Sequence, residues 1–400
     1  MPAGEPGRGR EASPARVPVY YEKLQRTILF IFGTRPEAIK LAALIRYLGR
    51  FPERYRVRVC VTAQHRAMLD QVLSAFGIRP DYDLDLMTPG QTLFESTSRI
   101  VAGLERVLGD CKPDLAMVQG DTTTTFCGAL AAFYARVPVA HVEAGLRTGD
   151  LAQPFPEEAN RALAARIAAL HFAPTAAAAA NLAREGITTG VHVTGNTGID
   201  AVLYIRDRLD RGELPSAEWP SPEKKLILVT AHRRESFGEG FDRICQAVSQ
   251  IAGRPDVRVI YPVHPNPNVR RAADRWLRGH PNITLAEPLD YVRFVDLMRR
   301  AYLLITDSGG IQEEGPSLGK PILVMRDKTE RPEAVTAGTV KLVGTDEERI
   351  VREASILLDD REARDAMGRV HNPYGDGRAS ARIEGVIRSF FEKNSSADSR

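Results

Sequence analysis

Short, continuous apolar runs recur along this chain, and each is followed by a stretch with helical spacing. Thr27–Phe32 (TILFIF) ends in Gly33, and the spacing from Pro36 through Ala38, Leu41, Leu44, Ile45 and Leu48 predicts a helix. Arg56–Thr62 alternates as a second strand, and His65–Phe76 reads as a helix. Leu115–Val118 is a strand leading into a threonine-rich turn at 121–125, followed by a helix over Phe126–Ala135 and a strand over Val137–Val142. The pattern then restarts. Leu226–Val229 precedes the polar loop His232–Glu235, Asp242–Ile251 is helical, and Val257–Val263 runs into PVHPNPN. Leu303–Thr306 ends in DSGG, and Pro321–Met325 is one more short strand. Alanine is the best helix former, so the tract at 175–183 is read as helix rather than linker. Apolar strands separated by helices predict an α/β protein of parallel, doubly wound sheets, here as two Rossmann-like halves facing a cleft. The expected division is a tail over 1–25, a first domain over 26–197, a second over 198–380, and a terminal segment over 381–400 with a disordered end.

Composition narrows the picture. A chain of 400 residues exceeds one core of ordinary size, which fits two domains. The apolar fraction of 43% and charged fraction of 26% are those of a globular protein, and the net charge of +3 gives no reason to expect nucleic acid. The 4 cysteines form no CxxC pair; Cys60 and Cys127 sit in apolar contexts as small hydrophobes, which fits a reducing cytoplasm. No apolar run is long enough to span a membrane, and the Pro-, Gly- and Arg-rich residues 1–25 lack the apolar core of a signal peptide and read as a mobile tail.

The stretch His141–Arg161 (HVEAGLRTGDLAQPFPEEANR) carries the densest chemistry. It sets Glu143, Asp150, Glu157 and Glu158 beside Arg147 and Arg161, directly after a buried-looking strand. Ligands of open α/β sheets sit beyond such carboxyl ends, where carboxylates are placed for acid/base work. Asp121 follows another strand end and belongs on the same rim; it is equally a helix-cap candidate, as Glu157 is a candidate first-turn acid. In ITDSGGIQEEG, the amides of Ser308, Gly309 and Gly310 face a helix start suited to an anion, and Glu313 and Glu314 follow one turn on, where a carboxylate can hold ribose hydroxyls. Arg35 at the first helix start, with Lys40 a turn later, offers a second anion site. His232, Arg233 and Arg234 follow one strand and His264 the next, without zinc-ligand spacing. No GxGxxG follows a strand, and GPSLGKP (315–321) has the wrong spacing for a phosphate loop.

Together these motifs are recognisable. FGTRPEAIK (32–40), VTAQHRAMLDQV (61–72), GDTTTT (120–125), HVEAGLRTGD (141–150), PEEANR (156–161), TGNTGIDA (194–201), AHRRESFG (231–238), YPVHPNPNVR (261–270), TDSGGIQEE (306–314), RDKTERPEAVTAGTVKLVGTD (326–346) and HNPYGDGRAS (371–380) resemble the bacterial non-hydrolysing UDP-N-acetylglucosamine 2-epimerases. The resemblance runs from about residue 26 to the C-terminus. It implies a GT-B arrangement, with the last helix (Ala381–Lys393) packing back on the first domain. It implies a homodimer needing neither nicotinamide nor metal, which interconverts UDP-N-acetylglucosamine and UDP-N-acetylmannosamine for cell-surface polysaccharide. Asp121, Glu143 and Glu157 would be the acid/base carboxylates, with His232 near the diphosphate. Arg35, Lys40, Ser308, Gly309, Gly310, Glu314 and Arg331 would bind UDP. Gln64, Arg234 and His264 match the site of a second UDP-N-acetylglucosamine that acts as activator. Four positions depart from the pattern: Gln119 stands where many relatives have His, Gly315 where Ala is commoner, and Ala67 and Gly90 at or near positions that are polar in some activator sites. A GT-B glycosyltransferase, a hydrolysing epimerase and a non-catalytic sugar-nucleotide sensor remain as other functions of such a chain.

Overall fold

The computed structural model describes residues 25–397 apart from 63–65, 89, 217 and 220–222. The expected tail, apart from Gln25, lies outside these residues. Two parallel sheets form the frame. The first holds β1 (Arg26–Phe32), β2 (Tyr55–Val61), β3 (Tyr82–Asp83), β4 (Leu115–Gln119), β5 (Val139–Val142), β6 (Leu170–Ala173) and β7 (Val191–Val193), in the order β3-β2-β1-β4-β5-β6-β7. The second holds β8 (Lys225–Thr230), β9 (Val257–Pro262), β10 (Ile283–Ala286), β11 (Leu303–Thr306), β12 (Ile322–Val324) and β13 (Val340–Leu342), in the order β10-β9-β8-β11-β12-β13. The two α/β domains adopt the GT-B arrangement, and each sheet is wound both ways from its centre. The switch points therefore lie between β1 and β4, and between β8 and β11. A ligand crevice opens at such places.

The alternation along β1 explains its unbroken apolar run. Ile28, Phe30 and Phe32 pack with Leu41, Leu44 and Leu48 on one face of the sheet, while Leu29 and Ile31 pack with Leu104, Val118 and Ala129 on the other. A strand buried on both faces has no polar side to show. The chain then turns at Gly33, where an added Cβ would lie 2.1 Å from Thr62 Oγ1 and 2.7 Å from Thr124 Oγ1, so only glycine fits. The helix Arg35–Leu48 starts with Glu37 reaching back to accept the amides of Gly33 (3.1 Å) and Thr34 (2.7 Å).

Several boundaries differ from expectation. The threonines at 123–125 are not a turn: the helix is Thr123–Tyr134, capped by Thr122, whose hydroxyl accepts the Thr125 amide at 3.1 Å. Asp121 is thus not the cap. Threonine's modest helix propensity is overridden because Thr124 and Thr125 are buried with partners, Thr62 Oγ1 at 2.9 Å and the Gln119 carbonyl at 2.5 Å. Val137 falls outside β5, since Arg136 takes a left-handed turn (φ 58°) just before it. The helix expected at Asp242–Ile251 is longer, Glu239–Ala252.

The alanine tract forms the helix Ala176–Arg184 between β6 and β7, and the helix Thr197–Asp210 leads from the first sheet toward the second. The last helix, Ala379–Ala397, lies against the first domain: Tyr55 donates to Glu384 at 3.1 Å, and the Arg26 guanidinium sits 5.4 Å from the Phe391 ring centre. Cys60, Cys127 and Cys245 are buried, and all 4 cysteines are free thiols. Among the described residues, no helix is long and apolar enough to cross a membrane.

Candidate active site

A cavity of about 880 Å³ opens between the carboxyl ends of the two sheets. Lys40, Asp121, Glu143 and Arg161 line it from the first domain, Arg233 and Arg331 from the second. Lys40 and Asp121 follow β1 and β4, which flank the first switch point, and Arg233 follows β8 at the second.

Glu143 follows β5 and has φ 64°, in the left-handed region that a non-glycine residue seldom occupies. That backbone directs its carboxylate inward, where the Lys40 ammonium lies 2.5 Å from Oε1 and 2.6 Å from Oε2. The Gln119 side-chain amide also donates to Glu143. On its other side Lys40 is 3.7 Å from Glu313 of the second domain, which also accepts from Arg331 Nε (2.7 Å) and Asn196 Nδ2 (2.8 Å). A line of alternating charge, Glu143–Lys40–Glu313–Arg331, therefore crosses between the domains. Burial disfavours the Lys40 ammonium, but the two carboxylates outweigh it and hold its pKa above the ordinary lysine value. Burial pushes Glu143 upward against the pull of Lys40, whereas Lys40 and Arg331 overcome burial at Glu313 and hold it low. One ammonium shared by two buried acids leaves Glu143 the more readily protonated of the pair.

Asp121 stands on the turn after β4, which Gly120 makes at φ 74°. Arg161 Nη2 contacts its carboxylate at 2.8 Å, and the amide of Asn160 donates to its backbone carbonyl at 3.0 Å. Within PFPEEANR it is Glu158 that is buried. Its Oε1 accepts the amides of Thr148 (3.0 Å) and Gly149 (3.1 Å), and its Oε2 lies 3.4 Å from Arg161. Glu158 thus pins the loop bordering the cavity. Glu157, the first residue of the helix Glu157–Ile167, is half-buried and is not among the residues lining the cavity.

In the second domain Asp307 is fully buried after β11. Its Oδ2 accepts the backbone amides of His232 (2.6 Å) and Arg233 (2.7 Å), and Oδ1 lies 3.1 Å from His232 Nδ1. Burial raises Asp307, but these donors prevail and keep it below the ordinary value. The carboxylate orients His232, whose ring stacks on His264 with centres 5.5 Å apart. Burial, then the neighbouring His232, lowers the pKa of His264. The helix Gly309–Glu314 starts at the expected place, and a Cβ on Gly309 would lie 3.4 Å from the Arg331 guanidinium carbon. The Ser308 amide is already bonded to Thr306 Oγ1 at 2.9 Å, so the glycine amides are the freer donors. Gly310 is exposed.

Arg35 spans the domains, its Nη2 3.5 Å from the Leu289 carbonyl. Burial lowers its pKa against the attraction of Glu314. Burial, reinforced by Glu313, raises Glu314 to about 8. The structure thus brings Lys40, Asp121, Glu143 and Arg331 to one cavity, while Arg35, Glu314, Ser308, Gly309, Gly310 and His232 stand outside its lining. Arg234, in the turn Arg234–Ser236, and His264 are exposed; Gln64 lies outside the described residues. Glu37, Gln119, Arg161 and Arg233 also line the cavity, though no site role is read for them from sequence, and Asn196 supports it. Glu37 carried a signal, the T-x-x-E of a capping box at 34–37.

Fold and cleft together define a two-domain GT-B protein whose acids and cations converge between two parallel sheets. The sequence model for UDP-N-acetylglucosamine 2-epimerase matches residues 51–388. The UDP-N-acetylglucosamine 2-epimerase of Escherichia coli K12 is 57% identical over 371 residues, covering 90% of this chain and 98% of that protein. The Neisseria meningitidis UDP-GlcNAc 2-epimerase, solved bound to UDP-GlcNAc, superposes with TM-score 0.83 at 47% identity, covering 91% of this chain and 100% of the other. The Methanocaldococcus jannaschii UDP-GlcNAc 2-epimerase, solved with UDP-GlcNAc and UDP, superposes with TM-score 0.71 at 32% identity, covering 91% and 99%. The chain belongs to the UDP-N-acetylglucosamine 2-epimerase family.

Proposed function

We propose that this chain interconverts UDP-N-acetylglucosamine and UDP-N-acetylmannosamine without releasing free sugar, by eliminating UDP and adding it back. The observation that carries this is the Lys40–Glu143 pair at 2.5 Å, with Asp121 lining the same cavity and Arg233 and Arg331 opposite. The C2 hydrogen of the sugar has no neighbouring carbonyl, so no carboxylate removes it directly at neutral pH. As the C1–O bond to UDP breaks, positive charge grows at C1 and the C2–H becomes acidic. A carboxylate takes that proton, leaving 2-acetamidoglucal and UDP. Proton return to the opposite face of C2, with UDP adding back at C1, gives the manno isomer.

The departing diphosphate needs fixed cations and donors, and Arg35, Arg331, His232 and the Gly309 and Gly310 amides are the candidates; removing one such group commonly costs about 10²–10³ in rate. Opposite-face protonation needs more than one acid or base. Asp121 and Glu143 are the best supported, and Glu157 enters on the family pattern. The raised pKa of Glu143 suits it to hold and return a proton. Glu314 is the ribose ligand. Closure of the two domains, 26–197 and 198–380, shields the glucal from water.

Gln64, Arg234 and His264 are the activator residues in this scheme. The stacking of His264 on His232 supports coupling between the second ligand and the diphosphate. Phe94, Phe133, Tyr134 and Leu163, exposed on three helices that pack side by side, support a homodimer; a cytoplasmic location completes this reading. The product supplies N-acetylmannosamine for surface polysaccharide. Proton and phosphorus NMR of UDP-N-acetylglucosamine with the enzyme tests the reading. Manno anomeric signals at constant total sugar nucleotide are expected; stoichiometric free UDP, or no change, contradicts it.

A further inference from the structure

The second sheet carries another cavity, of about 650 Å³, at the opposite end from the catalytic cleft. Its walls come from the amino ends of the strands: Lys224 and Lys225 at β8, Tyr302 just before β11, and Lys320 just before β12. Lys224, Lys225, Arg300, Lys320, Arg364 and Arg369 line it, against Glu223 and Asp365 as the acids among its described residues. The volume is in the range of small-molecule sites.

Most of these cations are already engaged. Lys225 lies 2.9 Å from Asp256, Arg300 is 3.1 Å from Asp296, and Lys224 donates to Asn282 at 2.8 Å. Arg364 and Arg369 share Asp365. Arg364 lies over the Tyr302 ring at 4.4 Å from its centre and Lys225 at 5.5 Å, so cations already contact the aromatic surface on which a base would stack. Lys320 differs. Among the described residues it has no carboxylate within ion-pair distance, and burial, with Arg364 and Arg299 nearby, lowers its pKa to about 8. A partly buried ammonium among guanidinium groups is unfavourable unless an anion joins it.

We propose that this cavity binds a compact, multiply charged oxyanion, the phosphate or pyrophosphate group of a small metabolite, with Lys320 as its central cation. Arg300, Arg364 and Lys224 line the same cavity, and guanidinium forks suit phosphate oxygens. Arg364 over the Tyr302 ring competes with a base for that surface, so recognition rests on the charged group of the ligand. The site is independent of the activity proposed for the cleft.

Calorimetric titration of the full chain with inorganic pyrophosphate, in saturating UDP to occupy the cleft, tests it. One binding event is expected, weakened at least tenfold in Lys320→Gln and in Arg300→Gln. Arg300 is at the rim, so its variant decides the matter should Lys320→Gln fail to fold. Absence of binding to the native protein, or native affinity in the folded variants, would overturn the proposal.

Discussion

Lys40 and Glu143 meet at 2.5 Å in the cavity between the two sheets, although they lie 103 residues apart in the chain. Lys40 also holds Glu313 from the second domain at 3.7 Å, so one ammonium neutralises two buried acids. Lys40→Met would leave the Glu143 carboxylate without its cation and Glu313 with Arg331 alone. Loss of one partner from a buried charge pair costs about 3–5 kcal/mol. Urea unfolding of this variant should show a loss of that size together with a collapse of turnover; unchanged stability would mean that the pair is already open in solution.

Asp121→Asn and Glu143→Gln remove a proton acceptor and little volume. Each is expected to lower turnover by at least about a hundredfold, the scale of a lost acid or base. Near-full activity in both would remove these residues from the chemistry. Glu157→Gln is the informative companion, because Glu157 is absent from the cavity lining. A loss equal to that of Glu143→Gln would mean that the loop before it rearranges when substrate binds.

Arg35→Ala should act chiefly on ligand affinity. Charge-assisted hydrogen bonds contribute about 1.5–3 kcal/mol, so calorimetry should find UDP bound at least tenfold more weakly. An unchanged dissociation constant would assign Arg35 to the domain contact with Leu289 alone.

Glu314 gives a prediction in pH. Its folded-state pKa of about 8 lies above the ordinary 4.5, so between these values the folded chain keeps a proton that the unfolded chain has lost. Its stabilising contribution is complete below about pH 4.5 and is lost as pH rises through 8. Glu314→Gln cannot ionise, so its melting temperature should gain on the native protein between pH 5 and pH 8. A difference that does not vary with pH would contradict the half-buried, proton-holding state of Glu314.

Much of this architecture is legible in the sequence. β1 and β11 read as apolar runs because both faces of each are buried, and Leu303–Thr306 was placed residue for residue. Asp121 and Glu143 were legible because strand ends in a doubly wound sheet face the crevice. The pairing of Lys40 with Glu143 and Glu313 was not, since it joins distant segments of two domains. Periodicity also could not choose between Glu157 and Glu158: adjacent residues at a helix start point about 100° apart, and only the loop at 148–149 decides which one is buried. The threonines at 123–125 were misread as a turn because their helix is stabilised by Thr62 and Gln119, partners beyond the reach of a local pattern.

The central claim is that a carboxylate of this cavity exchanges the C2 hydrogen while UDP is detached. Its most direct measurement is deuterium incorporation: UDP-N-acetylglucosamine incubated with the enzyme in heavy water and followed by proton NMR. The account predicts deuterium at C2 of the manno product and, as equilibrium is approached, of the recovered gluco isomer. A manno product that retains its original hydrogen, or recovery of unlabelled substrate alone, would contradict it.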